Sequence, residues 1–557
     1  MLNPVISCFK FFEIPHVRFS RAAVAAMIVL MANVAWIGTY SIGSVSAGQT
    51  DSNRTADRQP NIIVILADDV GYGDVSCYGA TEIQTPHIDH LAATGLRFTN
   101  GYCSASTCTP TRYSFLTGNY AFRTPGTGIA PPNGPAIIQP GTPTVASLLK
   151  NAGYKTAVIG KWHLGLGPQE GADSPTGNPG PDWNGVLKPG PLEIGFDTCF
   201  LLPTTNDRVP QVYVQDHHVL NLDPNDPLWV GNKKPSDDHP TGVSHRNTLK
   251  MDWTHGHNQT IHNGISRIGF YTGGHAARFR DEDLADKWVE KSVEFMEANV
   301  DQPFFLFFAS HDNHVPRMPH ERFQGKSKLG YRGDAILQLD WCVGQIVAHV
   351  ERLGLSENTM IIFCSDNGPV MDDGYRDGAL EQLGNHRAAG PLSGGKYSVY
   401  EGGTRTPFIT NWPGKIEPGV SQQMVCTIDL PHSLTELAGH SLPAGACLDS
   451  FNLKDALMGR DGAMGRDHLV QQNNLGTHLG LRVWDEGRDW KLVVAPNGQM
   501  YNLKIDQELA NVKVPPIQLF DLQADPSEKI NLQPQHPDIA DRLLHRLEEI
   551  KTSPQTR

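Results

Sequence analysis

Four short, unbroken apolar runs constrain this chain more than any other feature. They are Ile62-Ile63-Val64-Ile65-Leu66, Thr156-Ala157-Val158-Ile159, Phe304-Phe305-Leu306-Phe307-Phe308 and Met360-Ile361-Ile362-Phe363. A strand with one wet face alternates apolar and polar residues, so runs without alternation belong to a sheet covered on both faces. Between them the spacing turns helical. Residues 144–152 read as a short capped helix, and 281–299 as a helix opening on acidic residues. Residues 335–353 place Ile336, Leu339, Val343, Ile346, Val347 and Val350 at helical spacing. Strands alternating with helices predict an α/β fold, a large mixed, mainly parallel sheet sandwiched by helices.

Each run is followed by chemistry. Asp68-Asp69 comes after the first, Lys161-Trp162-His163 after the second, His311 to His314 after the third and Asp366-Asn367 after the fourth. Ligands of open α/β sheets bind outside the carboxyl ends of the strands. Four strands therefore bring carboxylates, cations and imidazoles to one edge.

The flanking segments divide the rest. Lys10, Arg18 and Arg21 precede an apolar stretch over 22–40, which gives way to small residues ending at Ala47. This pattern predicts a secretory signal over 1–47, cleaved after Ala47, and an exported protein, periplasmic or secreted. An uncleaved anchor is the rival, because the apolar stretch nearly reaches spanning length. No later stretch reaches it, so no stable membrane span is expected in the mature chain. Residues 48–59 read as a polar linker, 60–465 as the catalytic domain, and 466–557 as a smaller C-terminal antiparallel sheet plus helix. Residues 168–279 are irregular and rich in Pro, Gly, Asn, Asp and His, the composition of functional loops. A net charge of -13 argues against a nucleic-acid partner.

Nine cysteines leave one unpaired whatever the pairing. Cys108 stands out because Cys108-Thr109-Pro110-Thr111-Arg112 places a proline where the first turn of a helix tolerates it. Cys108 would then sit at a helix N-terminus, which favours a nucleophile or an anion. In a helix Arg112 shares its face. From composition alone, a disulfide with Cys103 or a buried free thiol is the favoured reading of Cys108.

Cys108-Thr109-Pro110-Thr111-Arg112 with Leu116-Thr117-Gly118 resembles the first signature of the sulfatase family, formylglycine-dependent enzymes of the arylsulfatase type within the alkaline phosphatase superfamily. The stretch from Gly153 to His163 resembles the second signature. Asp68-Asp69, Asp366-Asn367-Gly368 and the stretch from Gly394 to Gly403 follow in the family's order, so the resemblance spans roughly residues 60 to 440. It implies that a separate maturation enzyme converts Cys108 to Cα-formylglycine. The hydrated aldehyde would attack sulfur, pass through a sulfo-enzyme intermediate and expel sulfate. By the same resemblance Lys161 and Lys396 bind sulfate and Arg112 holds the formylglycine. His163 takes the proton from its second hydroxyl, His314 with Lys396 protonates the leaving group, and Asp366 helps activate the nucleophile. One Ca²⁺ is implied, held by Asp68, Asp69, Asp366, Asn367 and the residue derived from Cys108. The donor chemistry agrees, since hard oxygen ligands suit Ca²⁺ or Mg²⁺ rather than Zn²⁺.

The implied substrates are sulfate monoesters, aryl sulfates in vitro and sulfated carbohydrates in nature. A formylglycine-dependent hydrolase of phosphonates or phosphodiesters, and an inactive binder of sulfated polymers, are the competing readings. Asp312, Asn313, Arg317 and Asn206-Asp207-Arg208 fit a solvated surface as well as a substrate pocket. His255, His257, His262 and His275 lie in loop sequence and are assigned no metal.

Overall fold

Alternate side chains of the strand Asn61–Ala67 enter two different cores. Ile62, Val64 and Leu66 join Phe115 of the helix Cys108–Thr117, Leu149 of Val145–Asn151 and Leu434 of Leu430–Leu437. Ile63 and Ile65 join Ile88 of Pro86–Ala93, Trp288 of Leu284–Ala298 and Leu339 and Val343 of Gly330–Arg352. Both faces of the strand are dry, which is why its sequence lacks alternation. Burying one such Ile, Leu or Phe stabilises the fold by roughly 1.5–3 kcal/mol relative to exposure.

The computed structural model describes residues 58–169, 180–496 and 513–557. The expected signal over 1–47 and residues 48–57 of the expected linker lie outside the described residues, as do residues 170–179 of the loop region. No helix among the described residues is long and apolar enough to cross a membrane.

Ten strands form the main sheet, in the order Gly419–Cys426, Leu96–Tyr102, Phe408–Asn411, Thr359–Ser365, Asn61–Ala67, Phe304–Ala309, Lys155–Lys161, Thr198–Leu202, Val214–Gln215 and His218–Val219. The four runs read from the sequence are adjacent central strands, all mutually parallel, with Ile63 between Leu306 and Ile361. Their carboxyl ends consequently share one edge. Antiparallel pairs flank this block on both sides. The strand Leu96–Tyr102 escaped the sequence pattern because it is only half buried and is interrupted by Arg97, Thr99 and Asn100.

The predicted helices form with shifted bounds. Residues 281–283 make a 3₁₀ turn before Leu284–Ala298, and the third helix begins at Gly330. Thr144 caps Val145–Asn151 by accepting the Ser147 N–H. A second, antiparallel sheet runs His468–Gln472, Leu479–Asp485, Arg488–Val494 and Ile517–Asp521 in chain order. Helix Pro537–Thr552 lays Ile539, Leu543, Leu547 and Ile550 on it.

Candidate active site

Gly160 ends the second predicted strand in the left-handed region, φ +114, where a Cβ would stand 1.9 Å from the Ala309 carbonyl oxygen. Only glycine lets that strand close on its neighbour and turn Lys161 inward. Lys161 is fully buried, and its ammonium pairs with Asp68 Oδ2. Asp69, His163 and Tyr397 also take positive φ (58, 53 and 74), and such strain concentrates at functional sites.

Cys108 opens the helix Cys108–Thr117, preceded by the extended Thr107 and closed by left-handed Gly118. Every residue of that helix is buried. Cys103 and Cys108 are both free thiols, as are the other described cysteines, so no disulfide claims Cys108. Its Sγ lies 3.2 Å from His163 Nδ1, while His163 Nε2 lies 3.1 Å from the Ala130 carbonyl oxygen. Arg112, one turn on, donates from Nε to Asp366 Oδ2 at 3.0 Å and from Nη1 to the Lys161 carbonyl at 2.8 Å. Its Nη2 stands 3.8 Å from Asp68.

Lys396 Nζ lies 2.9 Å from both Asp69 Oδ2 and Asp373 Oδ2. The Asn367 amide donates to Asp69 Oδ1 at 2.7 Å. His314 is buried and its Nδ1 is 2.7 Å from the Val315 carbonyl, which leaves Nε2 for other partners. Asp68, Asp69 and His314 bring one potential ligand atom each within 4.8 Å of one another. The structure therefore unites Asp68, Asp69, Cys108, Arg112, Lys161, His163, His314, Asp366, Asn367 and Lys396 at the shared strand edge.

The electrostatics are those of crowded buried charge. Burial, then Asp366, pushes the Asp68 carboxyl well above the usual range, and burial likewise raises Asp69 against the pull of Lys396. Burial would lower the Lys396 ammonium, but Asp373 and Asp69 outweigh it and hold the pKa well above ordinary lysine. Burial, reinforced by Lys161, keeps His163 and His314 well below the imidazole value, so both rest neutral near pH 7. Burial raises the Cys108 thiol too, so as an unmodified thiol it would be a poor nucleophile.

Asp373 is a partner that sequence reasoning missed, although the doublet Asp372-Asp373 shortly after Asp366-Asn367 offered a signal. Ala130 contributes only a backbone oxygen and offered none. Of the two readings left open for them, the solvated surface fails for Asn206, Asp207, Asp312, Asn313 and Arg317, which are all buried. Arg317 is tied to Asp377 and the Val370 carbonyl, and Asp312 to Gln338, so both have structural work beside the site. Asp207 receives Arg208 at 3.0 Å and His257 at 3.0 Å. His262 is engaged by Phe279 and Tyr271, and His275 by Asp226.

The sulfatase family model matches residues 60–440. The chain belongs to the sulfatase family. This sulfatase is 46% identical over 504 residues to N-acetylgalactosamine-6-O-sulfatase of Bacteroides thetaiotaomicron, covering 90% of this chain and 95% of the relative. It is 33% identical over 405 residues to human arylsulfatase A, covering 72% of this chain and 68% of that one. A solved 6S-sulfatase structure from glycosaminoglycan metabolism in Bacteroides thetaiotaomicron superposes with a TM-score of 0.83, at 46% identity, over 89% of this chain and 100% of that one. The protein is an enzyme that hydrolyses sulfate esters.

Proposed function

We propose that this sulfatase removes the 6-O-sulfate of N-acetylgalactosamine units in sulfated saccharides, after a maturation enzyme has converted Cys108 to Cα-formylglycine. The observation that carries the reading is the meeting of Cys108, His163, two lysines and three buried carboxylates at one strand edge in a chain 46% identical to an N-acetylgalactosamine-6-O-sulfatase. The matched relatives are sulfatases, which favours sulfate over phosphonate or phosphate diesters. The basic and apolar start of the chain supports export to the periplasm or beyond. The catalytic domain over 60–465 and the C-terminal subdomain over 466–557 stay the proposed division.

The hydrated formylglycine would supply an oxygen nucleophile and a second hydroxyl whose deprotonation expels sulfate and restores the aldehyde. The residues present fit one Ca²⁺. Asp68 Oδ1 and Asn367 Oδ1 are buried oxygens without a hydrogen-bond partner, and burial together with Asp366 raises the Asp68 carboxyl. Asp68, Asp69, Asp366, Asn367 and residue 108 would hold the ion, which supplies positive charge beside the sulfuryl oxygens.

The chain's own groups do the rest. Lys161 and Lys396 offer ammonium groups to the sulfate oxygens, where negative charge persists through the reaction. Arg112 fixes Asp366 one turn from residue 108. The neutral His163, with Nε2–H directed to Ala130, presents Nδ1 as the base for a residue 108 hydroxyl. His314 commits Nδ1–H to Val315, and its Nε2, once it has taken up a proton from solvent in the substrate complex, would pass that proton to the departing sugar oxygen, helped by Lys396. An anionic ester beside His314 raises its proton affinity from the low resting value.

The decisive measurement is kcat/KM on matched 6-O- and 4-O-sulfated N-acetylgalactosamine and 6-O-sulfated N-acetylglucosamine. The 6-O-sulfated galactosamine is expected to lead by at least about tenfold, the discrimination that a site hydrogen-bonding a sugar hydroxyl can supply. Equal rates, or a preference for another member of the set, would overturn the substrate assignment.

A further inference from the structure

The turn that carries Lys396 is fastened at two ends. On the active-site side, the Lys396 N–H donates to the Pro369 carbonyl at 2.9 Å and the Tyr397 N–H to the Ser106 carbonyl at 2.7 Å. On the far side three ties run to the C-terminal sheet and to the loop that follows its last strand. The Glu401 N–H donates to Glu528 at 2.6 Å, the Tyr400 hydroxyl to Gln518 at 2.7 Å, and Ser393 to the Ser527 carbonyl. The turn has no slack, since a Cβ on Gly403 would stand 1.9 Å from the Ser398 carbonyl oxygen.

The same sheet also holds the Cys108 turn. The Ser106 N–H donates to the Gln472 carbonyl at 2.9 Å, and the Gln472 N–H to the Ser104 carbonyl at 3.1 Å. One small sheet thus grips the residues before Cys108 and the residues after Lys396.

Between those grips lies buried charge. Lys491, in the strand Arg488–Val494, has no exposed side-chain surface and sits 2.9 Å from Glu401 Oε1 and 2.9 Å from Glu528 Oε1. Gln471 donates to Glu401 Oε1 at 3.2 Å and to Thr404 Oγ1 at 2.6 Å, while Tyr102 donates to Glu401 Oε2 and Arg482 stands 3.8 Å from it. An interface serving packing alone would be cheaper in apolar residues, because burying paired charges contributes little net stability. Paired charges at fixed points do set register, which is the better-attested use of such groups.

We propose that Lys491 is a positioning residue for Lys396: by bridging Glu401 and Glu528 it lets the C-terminal sheet hold the sulfate-binding turn in register with Cys108. The inference rests on the assignment of Lys396 to sulfate given above.

The test is inhibition by inorganic sulfate, together with kcat/KM on a sulfate ester, in the full-length Lys491→Met enzyme. The inhibition constant is expected to rise about tenfold and kcat/KM to fall about tenfold. Arg488→Ala breaks a half-exposed ion pair with Asp521 on the same strand. It should lower Tm slightly and leave both constants unchanged. If Lys491→Met does not fold, Glu528→Gln, assayed at pH 8 where the wild-type carboxyl is ionised, removes one charge of the bridge and should move both constants the same way by about threefold. A folded Lys491→Met or Glu528→Gln enzyme with a lower Tm but wild-type inhibition by sulfate would overturn the proposal, leaving these residues purely structural. Lys396→Ala separates the two levels. Undiminished sulfate binding in that variant would refute the role of Lys396 itself, whereas loss there alongside unchanged binding in Lys491→Met would refute only the positioning.

Discussion

Cys108 Sγ and His163 Nδ1 stand 3.2 Å apart, and the other nitrogen of that imidazole faces the Ala130 carbonyl oxygen. The contact fixes what His163 can do. With Nε2 carrying the hydrogen, Nδ1 has a lone pair aimed at whatever replaces the sulfur of residue 108. Burial and Lys161 keep the ring neutral, so the lone pair is available near neutral pH.

Replacing Cys108 by alanine should abolish hydrolysis, by about 10⁴-fold or more, because the nucleophile's precursor is gone. Stability should change little, since one small thiol is removed from a packed helix start. The peptide containing residue 108, isolated from active wild-type enzyme, should weigh about 18 Da less than the thiol form, the mass change for thiol to aldehyde among the covalent modifications a side chain can carry. A peptide at the thiol mass in fully active enzyme would contradict the formylglycine assignment.

His163→Ala should lower kcat by about 10² to 10⁴, the range for loss of a positioned acid or base. Inhibition by inorganic sulfate should persist, because Lys161 and Lys396 remain in place. A variant within threefold of wild-type kcat would remove His163 from the proton transfer.

Asp68, Asp69 and Asp366 crowd into a buried space where burial and mutual repulsion raise the first two. A divalent cation should relieve that repulsion. Adding Ca²⁺ to chelated enzyme is expected to restore activity and raise Tm, by the equivalent of about 2.7 kcal/mol at one hundred times Kd. Asp68→Asn should weaken both responses. No thermal response to Ca²⁺ in the wild type would leave these carboxylates without the proposed ion.

How much of this was written in the sequence depended on what each residue's neighbours were. Ile62 to Leu66 and Phe304 to Phe308 announced themselves because dry strands cannot alternate, and the residues just beyond them had to share an edge. The Ala130 contact to His163 was invisible, since a carbonyl oxygen carries no residue signature. Lys491 misleads in the same way. It occupies a strand of the small C-terminal sheet, where nothing in the local pattern marks it, yet Glu401 and Glu528 pair with it from outside that strand. Tertiary partners, not local pattern, decide such positions.

Glu528 gives that buried charge a pH signature. Burial pushes its carboxyl up to about 7, with Lys491 pulling down and Glu401 pushing up. The unfolded chain titrates near the ordinary glutamate value of about 4.3. The folded state thus prefers protonated Glu528, and this contribution is complete below the unfolded value and lost as pH rises through about 7. The expected loss is on the order of 1–3 kcal/mol between pH 4.5 and 8. Glu528→Gln cannot titrate there, so the difference in stability between wild type and variant should shift against the wild type across that interval. Denaturant titrations of both proteins at several pH values measure the difference directly. A wild type that gained on the variant with rising pH would mean that Lys491 dominates Glu528, with its carboxylate favoured in the fold.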